Sequence, residues 1–351
     1  MEKNAKIYLA GHRGLVGSAI ARKLAADGYE RVVTRPHSEL DLTDQAAVRT
    51  FMEAEKPEYV FLAAAKVGGI LGNATYPADF IYQNLAIQNH VLHAAYQTGV
   101  RRLLFLGSSC IYPKHAPQPM REEYLMTGPL EPTNSPYAVA KIAGIEMCWS
   151  FNRQYETEFL PVMPTNLYGV NDHFNLETSH VLPALIRKFH LAKMVREGDV
   201  EAVRRDEERF GPIPADLKEA LGIAPRTAPE EVKVVLWGTG SPYREFLFVD
   251  DLADACLFLM THPDPSRVAP FDEFLVNIGT GEDLTIRELA KLIASVVGYE
   301  GRVVWDADKP DGTPRKLLNV TRMQGLGWSA ETSLEEGVRR TYAWYQDALA
   351  N

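Results

Sequence analysis

A short apolar run, Lys6-Ile7-Tyr8-Leu9-Ala10, leads directly into Gly11-His12-Arg13-Gly14-Leu15-Val16-Gly17 and then into a helical pattern through about Asp27. No other stretch restricts the fold as much. Glycine permits the tight turn and lets backbone amides approach a pyrophosphate at a helix N-terminus. The third glycine lets the helix pack closely on its strand. Three glycines at this spacing are common by chance; a strand before them and a helix after them give the pattern its meaning. The first third of the chain is therefore expected to hold a dinucleotide.

The same rhythm continues along the chain. Arg31 to Thr34 reads as a second strand, about Asp44 to Glu55 as a helix and Tyr59 to Ala64 as a strand. A long helix around Asp79 to Thr98 and a strand at Leu103 to Leu106 come next. Between them lies a loop carrying Gly68, Gly69 and Gly72, after the small residues Ala63, Ala64 and Ala65. Alternating strands and helices predict a doubly wound parallel α/β sheet. The second strand normally ends near the adenosine ribose, where an acid suits NAD and a base suits the 2′-phosphate of NADP. Here Arg35-Pro36-His37 comes after it and Arg13 lies in the glycine loop, so NADP is favoured over the alternative that these side chains are only solvated. Asp41, in Glu39-Leu40-Asp41-Leu42, is placed near the adenine.

Chemistry is suggested between Ser108 and Lys141. Leu104-Phe105-Leu106-Gly107 stops on Ser108-Ser109-Cys110, and Tyr137-Ala138-Val139-Ala140-Lys141 reads as helix. Four residues apart, Tyr137 and Lys141 share a helix face. An ammonium beside a phenol is expected to lower its ordinary value of ~10, and a serine hydroxyl can hold a carbonyl beside it. Those groups could protonate a carbonyl oxygen while hydride reaches its carbon. Tyr and Lys at this spacing are otherwise plain helix surface; the glycine motif changes that balance.

Composition excludes several classes. Hydrophobic residues make up 46% and charged residues 24%, as in soluble globular chains, and the net charge of −9 argues against broad binding to nucleic acid or anionic membranes. The three cysteines, Cys110, Cys148 and Cys256, show no metal-type spacing and suit a reducing compartment. No signal-type apolar region and no run of ~20 apolar residues is present, so a soluble cytoplasmic protein without a metal centre is expected.

The second half is less regular. Phe159 to Met163 reads as a strand, followed by Pro164-Thr165-Asn166-Leu167-Tyr168-Gly169, by His173 and by His180 ahead of a helix over Val181 to Lys193. Residues 196–232 are charge-rich and punctuated by Pro212, Pro214, Pro225 and Pro229, and read as a solvated insertion. Beyond it come a strand near Val234 to Trp237, Tyr243-Arg244-Glu245-Phe246, and further strand and helix patterns to a last helix near Leu334 to Leu349. Lys188, Arg244, Arg302 and Arg315 are candidates to grip a diphosphate, and Trp237 could stack on a base or fill a core. Residues 1–169 should be mainly the dinucleotide domain, with segments around 234–260 returning to it, and 170–351 mainly a substrate lobe.

The glycine loop, Ser108 and the Tyr137–Lys141 pair are similar to those of the extended short-chain dehydrogenase/reductase superfamily. Gly107-Ser108-Ser109-Cys110-Ile111-Tyr112-Pro113, Asn134-Ser135-Pro136-Tyr137-Ala138, Arg244-Glu245-Phe246-Leu247 and Lys309 through Lys316 narrow the resemblance. They resemble the epimerase-reductases that act on GDP-4-keto-6-deoxy-mannose. The resemblance implies a Rossmann domain holding NADPH, a smaller C-terminal α/β lobe holding a GDP-sugar, and a homodimer packed through long helices. It implies that Ser108, Tyr137 and Lys141 serve reduction and that Cys110 and His180 form the acid/base pair of a 3,5-epimerisation. Cofactor contacts would fall on Gly11, His12, Arg13, Gly14, Leu15, Val16 and Gly17, then on His37, Ser38, Glu39, Leu40, Asp41 and Leu42. Further contacts would fall on Leu106, Gly107, Ser108, Ser109, Lys141, Pro164, Thr165, Asn166, Leu167 and His180. Substrate contacts would fall on Lys188, Trp237, Arg244 and Arg302. A 4-epimerase or 4,6-dehydratase would recycle its NAD without net consumption, and a dehydratase would carry an acid pair where Ser109 and Cys110 stand. A regulator that senses NADP without turnover could lose Tyr137 or Lys141, whereas this chain keeps both, together with the thiol and the imidazole.

Overall fold

The computed structural model describes residues 1–68, 70–223, 232–309 and 311–350. Gly69, Pro225, Pro229 and Pro310 lie outside the described residues. The chain forms two compact units. One comprises Met1–Leu167, Phe246–Gly281 and Leu317–Glu331, and the other Tyr168–Glu245, Glu282–Lys316 and the chain from Thr332 onward.

The first unit opens with β1 (Ile7–Ala10), α1 (Leu15–Ala26), β2 (Val32–Val33), α2 (Gln45–Glu55), β3 (Tyr59–Leu62) and the short α3 (Ile70–Thr75). It continues with α4 (Pro77–Gln97), β4 (Arg102–Leu106), α5 (Ser135–Tyr155) and β5 (Glu158–Pro164). After β6 (Asn166–Tyr168), the second unit carries α6 (Val181–Glu197), α7 (Val200–Phe210), α8 (Ala215–Leu221), β7 (Lys233–Trp237) and β8 (Tyr243–Arg244). The chain re-enters the first unit through β9 (Phe246–Phe248), α9 (Val249–Thr261) and β10 (Val276–Ile278). The second unit resumes with β11 (Leu284–Thr285), α10 (Ile286–Val297), β12 (Arg302–Asp306) and β13 (Arg315–Lys316). Last come α11 (Thr321–Leu326) in the first unit and α12 (Leu334–Ala350) in the second.

Six strands of the first unit form one parallel sheet in the order β10-β5-β4-β3-β1-β2. The order reverses at β1, which pairs with β2 on one side and with β3 on the other. A crevice at the carboxyl ends of such strands is where this kind of sheet binds ligands. Both faces are covered, so β1 and β3 are buried along their whole length. One core packs Ile20, Leu24, Leu252 and Met323 against one face, and the other packs Met52, Val91, Ile145 and Cys148 against the opposite face. The return to this unit, 246–281 and 317–331, runs later than the expected 234–260, because β10 completes the sheet edge beside β5.

Residues 196–232 correct the expectation of a merely solvated segment. Helix α7 is capped by Asp199, whose side chain accepts from Ala202 N at 2.9 Å, and it buries Ala202, Val203 and Asp206. Helix α8 buries Leu217 and Leu221. One face of the charge run is core.

Candidate active site

The glycine loop is built for close backbone approach. Gly11 has φ +85°, and a Cβ on Gly17 would lie 2.0 Å from the Gly11 carbonyl oxygen. A side chain on Gly17 would push α1 off the turn that ends β1, and one on Gly11 would strike the Ala63–Ala64 backbone beyond β3. Gly14 caps α1 without a side-chain hydrogen bond, and the first turn carries no acid. The positive end of the helix is thus left to an anion. Nδ1 of His12 is buried without a partner, and burial followed by the Arg13 charge holds its imidazole below the ordinary value. These features fit a bound pyrophosphate.

The side chains expected to meet a 2′-phosphate divide. Arg35 is committed: it donates to Glu55 of α2 at 2.8 Å and to the Thr34 carbonyl at 2.8 Å, over the Phe51 ring. Arg13 and His37 remain exposed, with His37 3.8 Å from Asp41. Asp41 itself accepts from Thr43 N and Oγ1 at 2.8 and 2.7 Å, which holds its carboxyl below the usual range. Ser38 and Glu39 are exposed, whereas the side chains of Leu40 and Leu42 are buried in the core, leaving only their backbone to a ligand. Leu15 and Val16 are half-buried in the first turn of α1.

At the end of β4, Ser108 caps a short 3₁₀ turn over Ser109–Ile111 and its Oγ accepts from Cys110 N at 3.5 Å. Cys110 is buried. Tyr112 explains the rest of the Ile-Tyr-Pro run: its hydroxyl donates to Asn277 of β10 at 2.6 Å, and Asn277 N donates to buried Glu122 at 2.9 Å. Gly107 N donates to Val162 O at 2.8 Å and Thr165 N to Ile278 O at 3.0 Å, so the loops after β4 and β5 are tied to neighbouring strands. Pro164 and Thr165 are buried there, and Asn166 and Leu167 half-buried.

Tyr137 lies in the first turn of α5, which Pro136 helps to start, and Lys141 one turn later. Lys141 is buried; its Nζ donates to the Leu106 carbonyl at 2.8 Å and sits 4.8 and 5.7 Å from the Phe105 and Tyr137 ring centroids. Burial brings the Lys141 ammonium down to about 8, against the thiolates of Cys110 and Cys148, which would raise it. The expected depression of the Tyr137 phenol is overturned. Burial pushes it well up, and the thiolate of Cys110 pushes the same way. Lys141 directs a proton at Leu106, so desolvation of the phenolate prevails. Ser108, Cys110, Tyr137 and Lys141 thus stand together on the loop after β4 and the start of α5.

In the second unit His180 is exposed at the N-cap of α6, its imidazole held below the ordinary value by desolvation and by His173. Lys188, half-buried on α6, is lowered by desolvation and supported by Asp216 of α8. Trp237 fills no core: it is 60% exposed, with Lys309 5.3 Å above its ring. Arg244 donates to the Tyr243 carbonyl at 2.7 Å, and desolvation lowers it against the pull of Asp311. Arg302 is exposed at the start of β12. Arg315 leaves the set of diphosphate candidates, because Asp283 takes it at 2.5 and 3.0 Å.

Sequence reasoning passed over Asp172. Its Oδ1 accepts from His173 N at 2.7 Å while Oδ2 is buried without a partner, and burial pushes the carboxyl up to about 7. Nothing in Gly169-Val170-Asn171-Asp172 distinguishes it from an ordinary turn aspartate. Among the described residues no cluster of His, Cys, Asp and Glu could hold a metal ion.

The model of the NAD dependent epimerase/dehydratase family matches residues 7–206 and 211–279. GDP-L-fucose synthase 1 of Arabidopsis thaliana is 52% identical over 350 residues, covering 100% of this chain and 96% of its own. GDP-L-fucose synthase of Escherichia coli K12 is 51% identical over 342 residues, covering 97% and 96%. Among solved structures, a GDP-D-glycero-L-gluco-heptose synthase from Campylobacter jejuni, crystallised in the presence of NADPH, superposes with a TM-score of 0.89. It is 39% identical, covering 99% of each chain. A strand–glycine turn–helix, a parallel sheet reversing at β1 and matches spanning almost every residue lead to one assignment: the chain belongs to the NAD dependent epimerase/dehydratase family.

Proposed function

We propose that this chain converts GDP-4-keto-6-deoxy-D-mannose to GDP-L-fucose, inverting carbons 3 and 5 of the sugar and then reducing carbon 4 with NADPH. The observation that carries the substrate is the near-full-length identity, about one residue in two, to GDP-L-fucose synthases of a plant and a bacterium. The grouping of Ser108, Cys110, Tyr137 and Lys141 supports the chemistry.

A 4-keto sugar has acidic hydrogens on the carbons flanking its carbonyl. Cys110 and His180 are the acid/base pair: one removes such a proton while the other returns a proton to the opposite face. Ordinary thiols and imidazoles titrate at ~8.5 and ~6.5, close enough to neutrality for that exchange. Ser108 and Tyr137 hydrogen-bond the oxygen on which negative charge develops. Bound NADPH supplies hydride to the carbonyl carbon. Tyr137, kept protonated by burial, gives its proton to that oxygen. Lys141 holds the Leu106 carbonyl and keeps positive charge beside the reacting groups.

The substrate grip is assigned to Lys188, Arg244 and Arg302 for the diphosphate and to Trp237 for the base. For the 2′-phosphate of NADP, the exposed side chains of Arg13 and His37 are the candidate contacts. A cytoplasmic homodimer is part of the same reading, supported by three buried free cysteines and by exposed Tyr82 of α4 and Val139 and Tyr155 of α5. Among the described residues no helix is long and apolar enough to cross a membrane.

The deciding experiment incubates the protein with GDP-4-keto-6-deoxy-D-mannose and NADPH in deuterated water. Expected are stoichiometric NADPH oxidation, GDP-L-fucose as product and deuterium at carbons 3 and 5. Product without deuterium at those carbons would leave a simple reductase; no net NADPH oxidation would point to a cofactor-recycling epimerase.

A further inference from the structure

The turn that carries Cys110 does not hold itself. It is a 3₁₀ turn of three residues, Ser109–Ile111, closed by Ile111 N to Ser108 O at 3.2 Å and by Tyr112 N to Ser109 O at 3.5 Å. Bonds of that length are weak, and short 3₁₀ turns depend on their surroundings. Upstream, the sheet holds the chain where Gly107 N donates to Val162 O at 2.8 Å. Downstream, it is held by Tyr112, whose ring is buried and whose hydroxyl donates to Asn277 Oδ1 at 2.6 Å. Asn277 cannot yield. It is fully buried on β10, and its Nδ2 donates to the carbonyls of Met120 and Asn319 at 3.0 and 3.1 Å. Both amide hydrogens are thus used and the amide oxygen faces Tyr112, which makes the phenol the donor. Met120 is pinned in turn, its N donating to Leu317 O at 2.7 Å and its carbonyl accepting from Asn319 N at 2.8 Å.

We propose that Tyr112, locked by Asn277, is the positioning residue of Cys110 and fixes where the thiol stands for proton exchange at the sugar. The inference rests on reading Cys110 as an acid/base group of the epimerisation. Tyr112 acts only through the turn. Tyr137 and Lys141 are carried by α5 and are tied, through Lys141 Nζ and Leu106 O at 2.8 Å, to the strand end ahead of the turn. Ser108 lies on that same upstream side. Releasing the Tyr112 end therefore shifts the thiol and spares the groups that serve reduction. Proton transfer is sensitive to such a shift, because the acid or base must lie within hydrogen-bond reach of the proton it moves.

The test compares the full-length protein with Tyr112→Phe, which removes only the hydroxyl, and with Asn277→Ser, which withdraws the acceptor. Three rates are measured: deuterium wash-in at carbons 3 and 5 of GDP-4-keto-6-deoxy-D-mannose in the presence of NADP, hydride transfer from GDP-L-fucose to NADP, and alkylation of each cysteine by iodoacetamide. Tyr112→Phe should slow wash-in about 10- to 100-fold, the cost of misplacing a reacting group by up to about 1 Å, and leave hydride transfer within about threefold. Cys110 should alkylate faster than in wild type, while Cys148 of α5 and Cys256 of α9, both fully buried, stay slow. Asn277→Ser should show the same split. Unchanged wash-in in Tyr112→Phe overturns the proposal. Wash-in and hydride transfer falling together with all three cysteines opening, or failure of both variants to fold, makes the bond merely structural and overturns it as well. Wild-type protein that transfers hydride without any wash-in overturns the epimerase reading itself, and the positioning role with it.

Discussion

Two buried cations, Lys141 in the first unit and Arg187 in the second, show how one kind of group serves opposite ends. Arg187 is fully buried with Asp206 and carbonyl oxygens around it, so its charge is compensated and its geometry fixed. Lys141 has a single carbonyl and two aromatic faces, and no carboxylate pairs with it among the described contacts. Burial therefore lowers it to about 8, within reach of working pH. A compensated buried cation is structure; an under-compensated one is a proton-handling group.

The sharpest way to break that contrast is to remove each cation. Lys141→Met should cost about 10²- to 10⁴-fold in NADPH-dependent reduction, because the positive charge beside the proton donor Tyr137 is lost, with denaturant stability changed by less than about 1 kcal/mol. Arg187→Met should do the reverse. It strands Asp206 and costs about 3–5 kcal/mol of stability, and a second change, Asp206→Leu, should recover at least half of that. Denaturant midpoints and initial rates on the same four proteins decide it; a Lys141→Met protein that loses stability and keeps its rate would invert the assignment.

Cys110→Ser separates the two halves of the reaction within the first unit. Deuterium incorporation at the flanking carbons should drop by about 10²-fold or more while 2′,5′-ADP binds unchanged. Unaltered exchange would remove the thiol from the mechanism.

Titration sharpens the comparison further. Tyr137 stays protonated, so the first group lost on raising the pH should be the Lys141 ammonium, and the reduction rate should fall as pH rises through about 8. A rate flat to about pH 9 would contradict this.

The smallest expected effect concerns His190 in the second unit, with Nδ1 3.0 Å from the Tyr342 hydroxyl and Nε2 buried without a partner. Burial holds it down to about 4, so the native state refuses a proton that the unfolded chain takes near ~6.5. Stability present above ~6.5 is lost as pH falls toward about 4, by at most on the order of 3 kcal/mol. His190→Gln should flatten that acid limb in urea melts at several pH values.

Features that depend on near neighbours along the chain were legible in the residue order. Gly17 cannot carry a side chain 2.0 Å from the Gly11 carbonyl oxygen, so the dinucleotide turn is written in its glycines. The four-residue spacing of Tyr137 and Lys141 places them on one face of α5. Tertiary structure alone decided which charges are taken. Arg35 is held by Glu55, 20 positions away, Arg187 by Asp206, 19 away, and Arg315 by Asp283, 32 away. It also decided that the Tyr137 phenol rises where local spacing predicts a fall, and that Oδ2 of Asp172 is shut away from water and partners. Helical periodicity and turn chemistry are local, whereas charge pairing and desolvation depend on whatever the fold brings alongside, and no spacing rule encodes that.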